Sequence, residues 1–123
     1  MKREEFERIA QEVFDGLPKH LLERIDNVRI VVEAAPSAET MHQVALAPSS
    51  MLLGLYEGVP LTKRGVDYGV APVVPDKITL YQRNIELSCS SEKEISEKIR
   101  EVLIHEIGHY FGMNEREIRE AGY

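Results

Sequence analysis

SEKEISEKIREVLIHEIGHYFGMNE, residues 91–115, reads as a helix whose apolar face changes side halfway along. Ser91 followed three residues later by Glu94 is a capping-box pattern, so the helix is expected to begin at Ser91. At about 100° per residue, Ile95, Ile99, Val102 and Leu103 fall within one narrow sector. Lys93, Glu94, Glu97, Lys98, Arg100 and Glu101 occupy the remainder, as on an ordinary surface helix with an added Glu94–Lys98 pair. From Ile104 onward, Ile104, Ile107 and Phe111 land where the charges were, and the helix is expected to enter the core. Between Val102 and Met113, with Tyr110 set aside, only His105, Glu106 and His109 can ionise. An unpartnered buried polar group costs about 1–3 kcal/mol, so three together require a common partner.

A divalent metal is such a partner. His105 and His109, four residues apart, lie on one helix face and can direct two imidazole nitrogens to one point, at about the 2.0–2.1 Å that zinc prefers. Glu106 lies about 60° round the axis from His109, beside that point and suited to act as a general base on a water held by the metal. Gly108 leaves room for a neighbouring segment, and Gly112 fits a left-handed helix stop that turns Asn114 and Glu115 back toward the histidines. The nearby negative end of the helix dipole favours a cation. Glu115 is the expected third ligand, giving the pattern H-E-x-x-H-x-x-G-x-x-E, with Glu117 and Glu120 as fallback positions. The bland alternatives are histidines partnered inside the core and, for Glu115, a surface acid opening a short helix capped by Asn114.

Outward from this segment, Phe6, Ile9, Ala10, Val13 and Leu17 recur at helical spacing and are closed by Gly16 and Pro18. A short helical piece over residues 19–26 follows. Val28, Ile30 and Val32 alternate with Arg29 and Glu33 as in a strand with one buried face. Residues 51–58 read as a second strand and 77–87 as a third, while residues 36–50 give no firm assignment. Residues 58–76, rich in Gly and Pro, are expected to form a loop that could wall a cleft. The third strand is a candidate open edge for an extended peptide to join, the alternative being a strand paired on both sides. His20 and His42 are expected to be exposed and Cys89 to be a small packing residue.

The chain of 123 residues, 43% hydrophobic, suits one domain spanning 1–123. A net charge of −6, with 15 basic and 21 acidic residues, argues against nucleic-acid or anionic-membrane partners. One cysteine, no signal-like start and no long apolar run lead to the expectation of a soluble cytoplasmic protein.

Three segments, GLYEGVPLTKRG (54–65), PDKITLYQRNIE (75–86) and VLIHEIGHYFGMNERE (102–117), resemble in this order the small bacterial zincin-like metallopeptidases, or minimal zincins. The resemblance covers roughly residues 52–118. It implies a compact α+β fold, with a small sheet packed against N-terminal helices and an active-site helix near the C-terminus. It also implies one zinc ion at His105 and His109 with Glu106 as catalytic carboxylate. The family often has Asp at the third ligand position, where this chain has Glu115.

The expected function is a zinc-dependent peptidase acting on a peptide or protein, in which a water at the open fourth coordination position, its pKa lowered toward about 7, gives its proton to Glu106. Tyr56, Tyr81 and Tyr110 are candidates for stabilising the oxyanion or touching substrate. The alternatives are a non-catalytic zinc-bearing module and metal-assisted hydrolysis of a non-peptide. A ligand set without cysteine speaks for catalysis over structure.

Overall fold

In the computed structural model, which describes residues 1–44, 51–66, 68–69 and 75–122, the chain begins with α1 (Arg3–Asp15), anchored by the fully buried Phe6 and Ala10. Gly16 ends it, and Leu17 drops into the core before the four-residue α2 (Lys19–Leu22), shorter than the eight residues expected. β1 (Val28–Glu33) follows with its inward residues as the alternation requires. α3 (Ala38–Gln43) comes next, in a stretch with no firm assignment from residue pattern; the Ser37 hydroxyl accepts from Thr40 N and caps it. Residues 45–50 lie outside the described residues.

β2 (Gly54–Glu57) is shorter than the stretch expected and leads through Pro60 into a 3-10 turn at Leu61–Lys63. Of the loop expected at 58–76, residues 67 and 70–74 are outside the described residues. β3 (Asp76–Tyr81) then runs through the middle of a three-stranded sheet of order β1-β3-β2, parallel to β1 and antiparallel to β2. Asp76, Ile78, Thr79, Leu80 and Tyr81 are all buried, as a strand covered on both sides demands. Of the two alternatives for this strand, the structure has the one paired on both sides rather than the open edge, and among the described residues the strand beside the cleft with one side unpaired is β2.

A correction concerns residues 82–87, which form α4 (Gln82–Leu87) rather than a continuation of the strand. They follow directly on the β-branched and aromatic residues of the strand, yet Ile85 is fully buried and Leu87 is 69% exposed, so only one of the two apolar positions faces the core. α5 (Glu92–Tyr110) crosses the sheet and packs on α1 and β2. Ser91 caps it by accepting from Glu94 N at 3.2 Å, and the Glu94 carboxylate returns to Ser90 N, one residue outside the expected box. The burial of Glu106, Ile107, Gly108 and Tyr110 confirms the passage of this helix from surface to interior. Gly112, at φ +89°, turns the chain into α6 (Glu115–Glu120). The fold is α+β, and no helix among the described residues is long and apolar enough to cross a membrane.

Helical packing of residues 82–87 has a direct test. Ile85→Ala should cost about 2–5 kcal/mol, whereas Leu87→Ala should stay within about 0.5 kcal/mol. Urea denaturation of the two variants measures the difference, and comparable losses would contradict the helical assignment.

Candidate metal centre

The final two turns of α5 and the first residue of α6 bring His105, His109 and Glu115 together, with one ligand atom from each lying within 4.8 Å of the others. Glu115 straddles both rings: Oε2 is 2.9 Å from His105 Nε2 and Oε1 is 2.7 Å from His109 Nε2. The imidazoles stand edge to face, 5.3 Å between centroids.

Glu115 is fixed by how α6 is seated. Asn114 caps that helix reciprocally with Glu117, which puts the Glu117 carboxylate on Asn114 N at 3.1 Å. Ile118, 1% exposed, fills the notch at Gly108; a Cβ there would come within 2.8 Å of the Ile118 side chain. The two fallback ligands are thus engaged elsewhere, Glu117 in the cap and Glu120 with Arg116 at 3.0 Å.

The donor set fits a cation on chemical grounds. His109 Nδ1 lies 2.9 Å from the Met113 carbonyl oxygen, which can only accept, so Nδ1 carries the proton. In the neutral ring Nε2 is then a lone pair, and it faces a carboxylate oxygen, another acceptor, at 2.7 Å. Only a proton or a metal ion reconciles them, and an acceptor on the far nitrogen is the usual way a metal-binding histidine is oriented. For Glu115, burial pushes the carboxyl up but is outweighed by the hydrogen bonds from His105 and His109, which hold it below its ordinary value.

Glu106 lies beside this trio, 7% exposed. Its Oε1 accepts from Tyr56 N at 2.8 Å. The β2–β3 register and the Tyr81 N to Leu53 O bond place Leu55 and Glu57 in hydrogen-bonded pairs with β3, so the Tyr56 amide points away from the sheet, where Glu106 meets it. Burial raises the Glu106 carboxyl above its ordinary value, against the lowering influence of His109, the Tyr56 amide and His105. Gly54 permits this approach of helix and strand, since a Cβ there would lie 2.5 Å from Val102 Cγ1.

A polar cluster that residue pattern does not reveal holds β2 in place. Asp76, 2% exposed, accepts from the Tyr56 hydroxyl at 2.5 Å, Val59 N at 3.1 Å and Arg64 Nη2 at 2.9 Å. Arg64 also donates to the carbonyls of Val59 and Asp26 and stacks on the rings of Tyr68 and Tyr110. Of the three tyrosines singled out, none offers a free hydroxyl to the groove in this arrangement. Tyr56 lines it, but its hydroxyl is taken by Asp76. Tyr110 is fully buried and its hydroxyl accepts from Asp26 N at 2.9 Å, while Tyr81 is 2% exposed and away from the groove lining. His20 and His42 are exposed, as expected, and Cys89 is half-buried at the edge of the core.

The trio and Glu106 line an open groove of about 1000 Å³ between β2 and α5, with Pro60 and Lys63 from the 58–76 loop on its wall. A buried carboxylate poised beside a two-histidine, one-carboxylate cluster on a helix under a small sheet is the arrangement of metal-dependent hydrolases. The family model for zincin-like metallopeptidase matches residues 25–123, and the chain belongs to that family. Among solved structures, a conserved hypothetical protein from Thermo thermophilus is similar over 98% of each chain, with a TM-score of 0.58 at 17% identity, a likeness of fold alone. No curated protein matches the sequence.

The Asp76 cluster yields a stability prediction. Asp76→Ala leaves Arg64, whose side chain is 6% exposed, with only the exposed Asp26 carboxylate at 3.6 Å and should cost about 3 kcal/mol, whereas Tyr56→Phe should cost about 1–3 kcal/mol. Thermal and urea unfolding would measure both, and a near-neutral Asp76→Ala would show that the cluster does not clamp β2.

Proposed function

We propose that this protein is a zinc-dependent peptidase whose ion is held by His105, His109 and Glu115 and whose general base is Glu106. The observation that carries this reading is the fixing of Glu106 by the Tyr56 amide beside the three donors and on the wall of the same groove. A structural zinc site has no use for a second, buried carboxylate held next to its ligands on the wall of an open groove.

When bound, zinc supplies Lewis acidity toward a carbonyl and a water in the groove. The protein's own groups do the remainder. The Tyr56 N–H holds Glu106 Oε1, leaving Oε2 to take a proton from water and to return it to the leaving amine. Burial keeps the basicity of that carboxylate above the ordinary range, which suits proton transfer near neutral pH. The Met113 carbonyl holds His109 in the tautomer whose Nε2 can ligate. β2, unpaired on its outer side among the described residues, gives an extended peptide a backbone to lie along, with Gly54 offering outward groups as the register dictates. The acidic character of the chain fits a peptide substrate better than a nucleic acid.

Glu106→Gln should leave zinc content near one per chain and reduce peptide hydrolysis by at least about a thousandfold, measured by metal analysis beside a peptide-pool digest. Comparable turnover by the variant would remove Glu106 from the chemistry. Glu115→Ala should weaken zinc binding by about tenfold or more in chelator competition, with Glu117→Ala and Glu120→Ala nearer the unsubstituted protein. Equal losses for all three would exclude Glu115 as the third ligand.

A further inference from the structure

β2 and the second half of α5 run in the same direction, because Gly54 lies against Val102 while the Tyr56 amide meets Glu106 one turn later. The groove between them therefore has two distinct ends. Toward Val102 its lining comprises Met51, Leu52 and Leu53, just before Gly54, together with the Lys98–Glu101 pair. Its lining also includes Lys63, next to the Thr62 that packs at Gly112, and Arg119, next to the Ile118 that packs at Gly108 one turn earlier on the same face of α5. Thr62 packs against Gly112, which fixes Lys63 next to the turn that feeds α6. Arg119 is four residues after Glu115, one helical turn along the same face of α6.

The charges of the groove sort by partner. Lys98 is 3.2 Å from Glu101 and neutralised by it. Glu106 and Glu115 belong to the catalytic cluster. Lys63 and Arg119, both exposed, have no acidic group within ion-pair distance among the described residues, although Arg116 on the same helix is paired with Glu120. In a chain of net charge −6, this end of the groove is thus a local patch of positive charge, with the expected ion adding to it.

We infer that the Lys63–Arg119 end of the groove receives a substrate carboxylate, and that the protein prefers peptides carrying one on the corresponding side of the scissile bond. The arginine offers a planar fork that matches a carboxylate and the lysine a mobile point charge. The carboxylate is either an Asp or Glu side chain or the free C-terminus of a short peptide. The inference takes its substrate from the peptidase reading above, but its recognition step is separable from hydrolysis.

The test uses zinc-loaded Glu106→Gln protein and fluorescently labelled Ala/Leu octapeptides, amidated at the C-terminus, with one Glu placed at each position in turn. The same peptides with Gln, and a Glu-free peptide ending in a free carboxylate, complete the set. Fluorescence anisotropy should show about tenfold tighter binding for Glu over Gln at one or two positions, or for the free over the amidated terminus, and the pattern tells which carboxylate is read. The preference should shrink with added salt and vanish in the Lys63→Gln/Arg119→Gln double variant. No preference, no binding by any peptide, or a preference that survives the double substitution would overturn the inference, the last by placing the carboxylate on zinc or elsewhere. Selective binding by this variant with no turnover by the unsubstituted protein would instead overturn the peptidase reading and leave the carboxylate site standing.

Discussion

The contact between β2 and the middle of α5 governs the site. Gly54 lets the strand lie within side-chain reach of Val102, and the Tyr56 amide then closes on the buried carboxylate of Glu106. Each partner answers a deficiency of the other. The amide points off an unpaired strand edge, and the carboxylate sits 7% exposed in a helix interior. An unmade hydrogen bond for either would cost about 1–3 kcal/mol. The Asp76 cluster stands behind this contact, tying the corner after β2 to the start of β3 through the Tyr56 hydroxyl, Val59 N and Arg64. β2 is only four residues long, too short to hold its position by ladder bonds alone.

The three donors are organised separately. Their geometry comes from one hinge, at Gly112, and from one packing contact, Ile118 in the notch at Gly108. The cap by Asn114 sets where α6 begins, so Glu115 enters at its first residue and swings back over the two rings. Side-chain size at position 108 is therefore coupled to the placement of a carboxylate seven residues later.

Much of this is legible from residue types because the features responsible are periodic or conformational. The four-residue spacing of the histidines, the glycine stop and the Ser91 cap all have fixed local meanings, and the structure places them as those meanings require. Where residue pattern misleads, tertiary packing decides between equal local alternatives. Gln82–Leu87 carries no pattern that separates it from the strand before it, but of its two apolar residues only Ile85 is buried, and the segment forms a helix. The sheet edge falls at β2 and not β3 because pairing order is not written in any single strand. The Ser37 cap of α3 is a readable local signal in a stretch whose composition otherwise argues for no element. Asp76 and Arg64 are invisible for another reason: their partners are 12 to 20 residues away or on the main chain. Met113 belongs with them, since it orients His109 through its carbonyl, which every residue type possesses.

The separation of these two halves bears on how the molecule assembles. His109 and Glu115 are six residues apart, so closing that loop loses little chain entropy and needs only α5, the glycine turn and the first turn of α6. The bond between Tyr56 and Glu106 spans 50 residues and waits for the sheet. His105, His109 and Glu115 can accordingly come together in the C-terminal pair of helices while Glu106 still lacks its bond from β2. Local closure thus assembles the three donors ahead of the long-range bond that fixes Glu106 beside them.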